Sequence, residues 1–222
     1  MNKANWNILW KDRVATLGAQ HEQVLKILDI LLKNDSTISS LCDFGCGQGM
    51  LLKEIKTLYP TLKIKGADNT EFSKSRLKDL NIEYLNFDLT KDSLNGKIDI
   101  GIMSDVLEHF YNPLQVLQNL SNLKYLIIVV PNFSFIKERF DVLKGQVPFE
   151  MKPKRGGHFF WFNEESLNDL IMKSDFETIK TFNLYPKKLN YLPFLKPFNN
   201  LFATSFCILL KNKNIKQFME NK

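Results

Sequence analysis

The sequence predicts an α/β fold built on a doubly wound, mostly parallel sheet. Three observations carry this. Apolar runs of strand length alternate with segments of helical period from residue 20 to residue 130, the order that generates parallel βαβ units. The first run, residues 41–44, breaks through Gly45, Gly47 and Gly49 into the stripe Met50, Leu51, Leu52 and Ile55. A strand that passes through a glycine loop into a helix offers backbone N–H groups to a ligand at the helix N-terminus. The next two strands end at Asp68 and Asp88, and ligands of open parallel sheets bind at such carboxyl ends.

The elements follow in order. Residues 20–33 read as a helix, with Val24, Ile27, Leu28, Leu31 and Leu32 on one stripe. Residues 41–44 are the first strand, and the helix that follows stops at Pro60. Residues 62–67 are the second strand, 72–80 a helix and 82–87 the third strand. Residues 98–103 form the fourth strand, and residues 112–120 an amphipathic helix with Pro113 at its start. Residues 125–130 (YLIIVV) are the most apolar strand. Beyond it come a basic insertion (133–157), a helix (164–173), a strand (176–184), a proline-rich loop (185–200) and a last strand (202–210). Residues 211–222 read as a frayed polar tail.

Length and composition set the bounds. The 222 residues fit one domain, and 44% hydrophobic content with 18 Phe supplies a large core. No apolar run approaches the roughly 18 residues of a membrane span, and the N-terminus carries no secretion signal. Cys42, Cys46 and Cys207 fit neither a disulfide framework nor a zinc pattern; they read as reduced thiols of a cytoplasmic protein. The net charge of +6 favours anionic partners, or reflects a solvated lysine-rich surface. Without a compact RNA- or DNA-binding motif, nucleic acid is not the expected partner. Oligomeric state is not readable.

The glycine loop reads G-x-G-x-G, preceded by Asp43. A carboxylate there suits a cation such as an ammonium better than a pyrophosphate. Asp68 lies 19 residues past Gly49, the length of one helix and one strand, and can accept from two ribose hydroxyls; it could also cap the next helix. Asp88 can accept from an exocyclic amine with Leu89 or Phe87 against the ring, or cap a turn over residues 90–93. The fourth strand leads into Ser104, Asp105, Val106, Leu107, Glu108 and His109. If residues 105–110 turn as a helix, Asp105, Glu108 and His109 share one face. His109 is then a general base, or the three hold a divalent cation, or Glu108 orients His109 and both serve structure. The insertion carries Lys137, Arg139, Lys144, Lys152, Lys154, Arg155 and, after Gly156 and Gly157, His158. These side chains suit an anionic acceptor, with Arg139, Lys152, Lys154, Arg155 and His158 as the candidate contacts. A solvated loop over a satellite core is the alternative.

Asp43, Gly45, Gly47 and Gly49, with Asp68, Asp88 and SDVLEH, resemble the class I S-adenosylmethionine-dependent methyltransferases over residues 41–130. The resemblance implies a Rossmann-like, seven-stranded sheet with an antiparallel C-terminal hairpin, and an N-terminal segment (1–33) over the cofactor pocket. It implies S-adenosylmethionine as cofactor. Asp43, Gly45, Cys46, Gly47 and Gly49 would hold its amino-acid end, Asp68 and Asn69 its ribose, and Asp88 and Leu89 its adenine. Ser104 and Asp105 would face its reactive end. One methyltransferase domain spans 1–222 on this reading, with a core at 41–132, a substrate-side insertion at 133–160 and a C-terminal part at 161–211.

VPNFSFIKERFDVLKGQVPF and GGHFFWF are also similar to MetW-like proteins, with Pro131, Asn132, Phe133, Gly145, Pro148 and His158 matching. The Glu-His pair departs from that pattern and resembles ubiquinone-type O-methyltransferases. In some of those, and in small-RNA 2′-O-methyltransferases, an acidic-x-x-Glu-His motif and a later His bind a divalent metal. Asp105, Glu108, His109 and His158 match that set, with Asp105 in place of the usual Glu and Mg²⁺ as the implied ion. The expected activity is O-methylation of a small anionic or phosphate-bearing metabolite or glycan precursor, with His109, Glu108 and His158 at the reacting centre. The alternatives are a MetW-like accessory protein and a metal-dependent methyltransferase of a quinone, lipid or RNA 2′-hydroxyl. Exocyclic-amine methylation of nucleic acid is disfavoured, because SDVL stands where its Asn/Asp-Pro-Pro-aromatic motif belongs.

Overall fold

The computed structural model describes residues 18–148, 157–186 and 198–214. The N-terminal cap at 1–17 and the insertion's Lys152, Lys154 and Arg155 lie outside the described residues.

The alternating pattern folds as α1 (Ala19–Asn34), β1 (Ser40–Phe44), α2 (Met50–Leu58), β2 (Lys63–Asp68), α3 (Glu71–Asp79), β3 (Glu83–Asn86) and β4 (Ile100–Ser104). α4 (Pro113–Asn119), β5 (Tyr125–Pro131), α5 (Ile136–Leu143), α6 (Glu164–Lys173), β6 (Phe176–Thr181), α7 (Asn199–Phe202) and β7 (Ser205–Asn212) follow. The seven strands form one sheet in the order β3-β2-β1-β4-β5-β7-β6. β1 to β5 run parallel, while β7 pairs antiparallel with both β5 and β6. The strand order reverses beside β1, so the carboxyl ends of β1 and β4 flank the switch point where ligands of such sheets bind.

Side-chain alternation divides the core into two layers. Leu41, Ile100, Ile102, Ile127 and Val129 face Val24, Ile27, Leu28, Leu52 and Ile55 from α1 and α2. Cys42, Phe44, Met103, Leu126 and Ile128 face Val116, Leu117, Leu167 and Ile171 from α4 and α6. A central strand covered on both faces must be apolar at every position, which is why β5 is buried from Tyr125 to Val130. Gly66 on β2 leaves room for helix packing: a Cβ there would collide with Leu77, Leu52 and Cys46.

Several boundaries differ from the sequence reading: β4 starts at Ile100 rather than 98 and β6 ends at Thr181 rather than 184. Residues 105–110 form no α-helix: Asp105 adopts φ 54° and only Leu107–His109 makes a 3₁₀ turn. Asp105 still donates its N–H to Val129 O at 3.0 Å, so the chain leaves the sheet one residue later than the pattern suggests. Phe202 is helical, at the end of α7. Lys211 and Asn212 belong to β7 rather than to a tail, because Asn212 Nδ2 donates to Leu123 O at 3.1 Å and closes the strand end against the α4–β5 connection.

Candidate functional site

The glycine loop sits at the tip of β1. Gly45, Gly47 and Gly49 have φ of 76°, 51° and 69°, the left-handed region that a Cβ resists. A Cβ on Gly45 would also lie 2.7 Å from Val106 Cγ2 of the β4 turn. The loop is thus closed down on the β4 tip, and only hydrogen atoms fit between them.

Asp68, at the tip of β2, ties this loop to its neighbour. Oδ2 accepts from Gly47 N at 3.2 Å and Oδ1 from Thr70 N at 3.0 Å. The helix cap of α3 is Thr70, which accepts from Ser73 N, so Asp68 is not the cap. Each carboxylate oxygen retains acceptor capacity, and Asp68 and Asn69 line the cavity. Tyr84 fixes the tip from below by donating its hydroxyl to Asp68 O at 2.8 Å.

Asp43 is 5% exposed and stands behind the loop rather than on the cavity wall. Burial, then the neighbouring Asp68 charge, pushes its carboxyl up to about 8. A buried carboxylic acid next to a second carboxylate is a place where a ligand cation would restore the ionised form. Cys46 is buried, with its thiol pushed up by burial and by Asp43, and is inert packing beside the loop.

Asp88 both caps a turn and lines the cavity. Its Oδ1 accepts from Thr90 N at 3.0 Å and Thr90 Oγ1 at 2.6 Å, and Lys91 Nζ lies 3.3 Å from Oδ2. Burial alone would raise this carboxyl, but the Thr90 bonds and Lys91 hold it below its ordinary value. Leu89 and Phe87 supply apolar wall beside it.

The cavity measures about 660 Å³ and runs from Gly45 and Asp68 past Asp88 and Leu89 to Asp105, His109, Tyr111 and Phe159. Of the predicted cofactor contacts, Gly45, Asp68, Asn69, Asp88, Leu89 and Asp105 line it; Asp43, Cys46, Gly47, Gly49 and Ser104 do not.

The far wall is assembled from two distant segments. The main-chain carbonyl of Glu108 accepts from Phe159 N at 2.9 Å and Phe160 N at 3.0 Å. Phe133 N donates to Phe162 O at 2.9 Å, so the insertion's two ends are fastened to each other. Tyr111 stacks on Phe159, with ring centroids 4.1 Å apart. This docking places His158 beside the 3₁₀ turn. Its Nε2 lies 3.9 Å from Glu108 Oε1, and its ring meets His109 edge-on at 4.8 Å. His109 Nδ1 is 3.4 Å from Gly157 O. With the proton on Nδ1 this contact is a hydrogen bond to that carbonyl, and Nε2 then carries the ring's lone pair.

Ligand atoms of Glu108, His109 and His158 lie within 4.8 Å of one another, the grouping of metal-ligand type among the described residues. Asp105 stands outside it, because the left-handed turn at Asp105 takes that residue off the 3₁₀ segment. Two imidazoles and one carboxylate suit a transition metal better than Mg²⁺, which prefers oxygen ligands. Glu108 Oε1 is within reach of His158 as well as grouped with His109. Arg139 is exposed on α5, donates Nε to Ser134 O at 2.8 Å and is not on the cavity wall. Thr70, Tyr84 and Tyr111 contribute to the site without any motif, while Val106 and Phe159 stand inside SDVLEH and GGHFFWF without being singled out. Their one sequence signal was the aromatic density around Phe110 and Phe159.

A family profile described as a methyltransferase domain matches residues 10–181. The chain belongs to this methyltransferase family. Its fold is that of the class I S-adenosylmethionine-dependent enzymes. A methyltransferase structure from Archaeoglobus fulgidus shares 17% identity over 86% of this chain and 94% of its own, with a TM-score of 0.61. A plantazolicin methyltransferase, in complex with a triazolic desmethylPZN analog and S-adenosylhomocysteine, shares 18% identity over 94% and 90% of the two chains, with a TM-score of 0.62. A malonyl-[acyl-carrier protein] O-methyltransferase of Acetivibrio thermocellus is 26% identical over 108 residues, which is 47% of this chain and 38% of the relative. The chain therefore spans about two fifths of that curated relative. No helix among the described residues is long and apolar enough to cross a membrane.

Proposed function

We propose that this methyltransferase moves a methyl group from S-adenosylmethionine to an oxygen of a small anionic acceptor. The residues fit the cofactor on three counts. The Gly45–Val106 approach admits no side chain, Asp68 presents two oxygens at the cavity wall, and Asp43 is a buried acid awaiting a cation. The bound cofactor supplies an electrophilic methyl on a sulfonium sulfur.

The chain's own residues orient and deprotonate. Asp68 and Asn69 hold the ribose, Asp88 and Leu89 the adenine edge, and Asp43 answers the ammonium through the glycine loop. His109 carries the proposal of oxygen chemistry: it stands on the cavity wall with Nδ1 on the Gly157 carbonyl. Its Nε2 would accept the proton of an acceptor hydroxyl, while a phosphate or carboxylate oxygen needs no base. Alignment of the two reactants supplies most of the remaining rate. Lys152, Lys154 and Arg155 are the proposed anion contacts of the insertion; Arg139, off the cavity wall, is not among them.

The Glu108–His109–His158 grouping supports a second reading, in which these residues hold a transition-metal ion that binds the acceptor oxygen. The test is a screen of phosphorylated sugars, carboxylates and phenols with methyl-labelled cofactor, with and without EDTA. Oxygen methylation that survives EDTA is the expected result, and product methylated at nitrogen would contradict the proposal. Oxygen methylation lost in EDTA and restored by Mn²⁺ or Zn²⁺ selects the second reading.

A further inference from the structure

The outermost helix at the carboxyl edge is built inside out. α5 buries its acid, Glu138, at 6% exposure, yet shows Phe140 at 53%, Val142 at 54% and Leu143 at 80% to solvent. Val147, just past the helix, is 55% exposed. Single exposed apolar residues are ordinary, but four within residues 140–147 form a patch that calls for a partner. The patch continues onto Phe198, 57% exposed, which caps α7, the helix that α5 packs against.

Lys137 is paired with Asp141 at 3.3 Å and with Glu138 at 3.8 Å, which leaves Arg139 and Lys144 as the exposed cations beside the patch. Apolar and cationic side chains on one outward face are what the boundary between lipid headgroups and acyl chains accepts. A second copy of the chain fits less well, because it would bring Arg139 and Lys144 against their own kind. α5 begins five residues after β5 ends at Pro131, on the same edge of the sheet as the cavity. A surface held there lies beside the site.

We propose that α5 is an interfacial helix that docks this methyltransferase on an anionic lipid bilayer, with Phe140, Leu143 and Val147 entering the headgroup boundary and Arg139 and Lys144 meeting the anionic headgroups. The proposal does not depend on the acceptor's identity or on the chemistry of His109.

The test is co-sedimentation of the whole protein with vesicles of phosphatidylglycerol and phosphatidylcholine, compared with phosphatidylcholine alone. The protein is expected to pellet with the mixed vesicles, less so as NaCl rises from ~50 to ~500 mM. Leu143→Asp should weaken partitioning about tenfold or more, and Lys144→Glu by about fivefold. Leu58→Asp, at another exposed apolar position, at the end of α2, should leave it unchanged. All three sites are exposed, and unchanged melting temperatures would show that the variants fold. Failure to pellet with the mixed vesicles would overturn the proposal, as it must if the patch serves an acidic protein. Pelleting that ignores Leu143→Asp would overturn it too. Neither result bears on cofactor binding, and loss of cofactor binding would leave this proposal standing.

Discussion

The tips of β1 and β2 and the tip of β4 face one cavity, yet they are held by different lengths of chain. On the cofactor side Asp68 reaches Gly47 and Thr70, and three left-handed glycines set the loop. These contacts span no more than 21 residues and set one side-chain carboxylate against backbone N–H groups. On the acceptor side the wall exists only because Glu108 O receives Phe159 N and Phe160 N, and because Tyr111 finds Phe159. The first region is a rigid cradle that local sequence dictates. The second is a junction between the β4 turn and an insertion that returns from far along the chain. A binding site of this design keeps its cofactor half constant while the acceptor half can be rebuilt by changing one insertion.

The sharpest way to separate the halves is His109→Ala. Turnover should fall by about 10²- to 10⁴-fold once an acceptor is in hand, while cofactor affinity stays within about twofold. Parallel losses in both would mean that the two sides are one unit. Asp68→Ala comes next. It removes the ribose acceptors together with the tie between β1 and β2, and cofactor affinity should fall about 100-fold by calorimetry. A smaller effect is expected from Gly66→Ala, where the new methyl meets Leu77, Leu52 and Cys46. A loss of about 1–3 kcal/mol in denaturant unfolding is expected, with no separate effect on acceptor use. Tyr111→Ala should cost least, about 1 kcal/mol of the stacking on Phe159. It should appear in the acceptor's KM and leave the cofactor's affinity alone.

The same contrast explains what the sequence made legible. The cofactor half was readable because each signal is local: glycines at alternate positions, an acid before them, and an acid at the end of the next strand. The sheet was readable because alternation of apolar runs fixes parallel order. Asp68's grip on Gly47 N was not readable, since two hydrogen bonds from one carboxylate require coordinates. The acceptor half was misread at Asp105, where spacing suggested a helical face but the backbone turns left-handed. The approach of His158 to Glu108 was a contact that spacing within residues 105–110 could not show, because the insertion folds back over the turn. The inverted polarity of α5 was also invisible, because period alone does not say which face of a helix looks inward.

Asp43 links the cradle to pH. Its carboxyl rises from 3.8 in the unfolded chain to about 8 in the fold. Its contribution to stability is therefore full below pH 3.8 and is lost as pH climbs to about 8. The ligand-free protein should melt lower at pH 9 than at pH 6, and Asp43→Asn should flatten that difference.

The most direct test is calorimetric titration with S-adenosylmethionine and S-adenosylhomocysteine in two buffers of different ionisation enthalpy. The ligand's ammonium favours ionised Asp43, so binding should release a proton below pH about 8. Affinity should rise with pH up to that point, and Asp68→Ala should abolish most of the heat. No binding of either compound by the folded protein would contradict the cofactor cradle and everything built upon it.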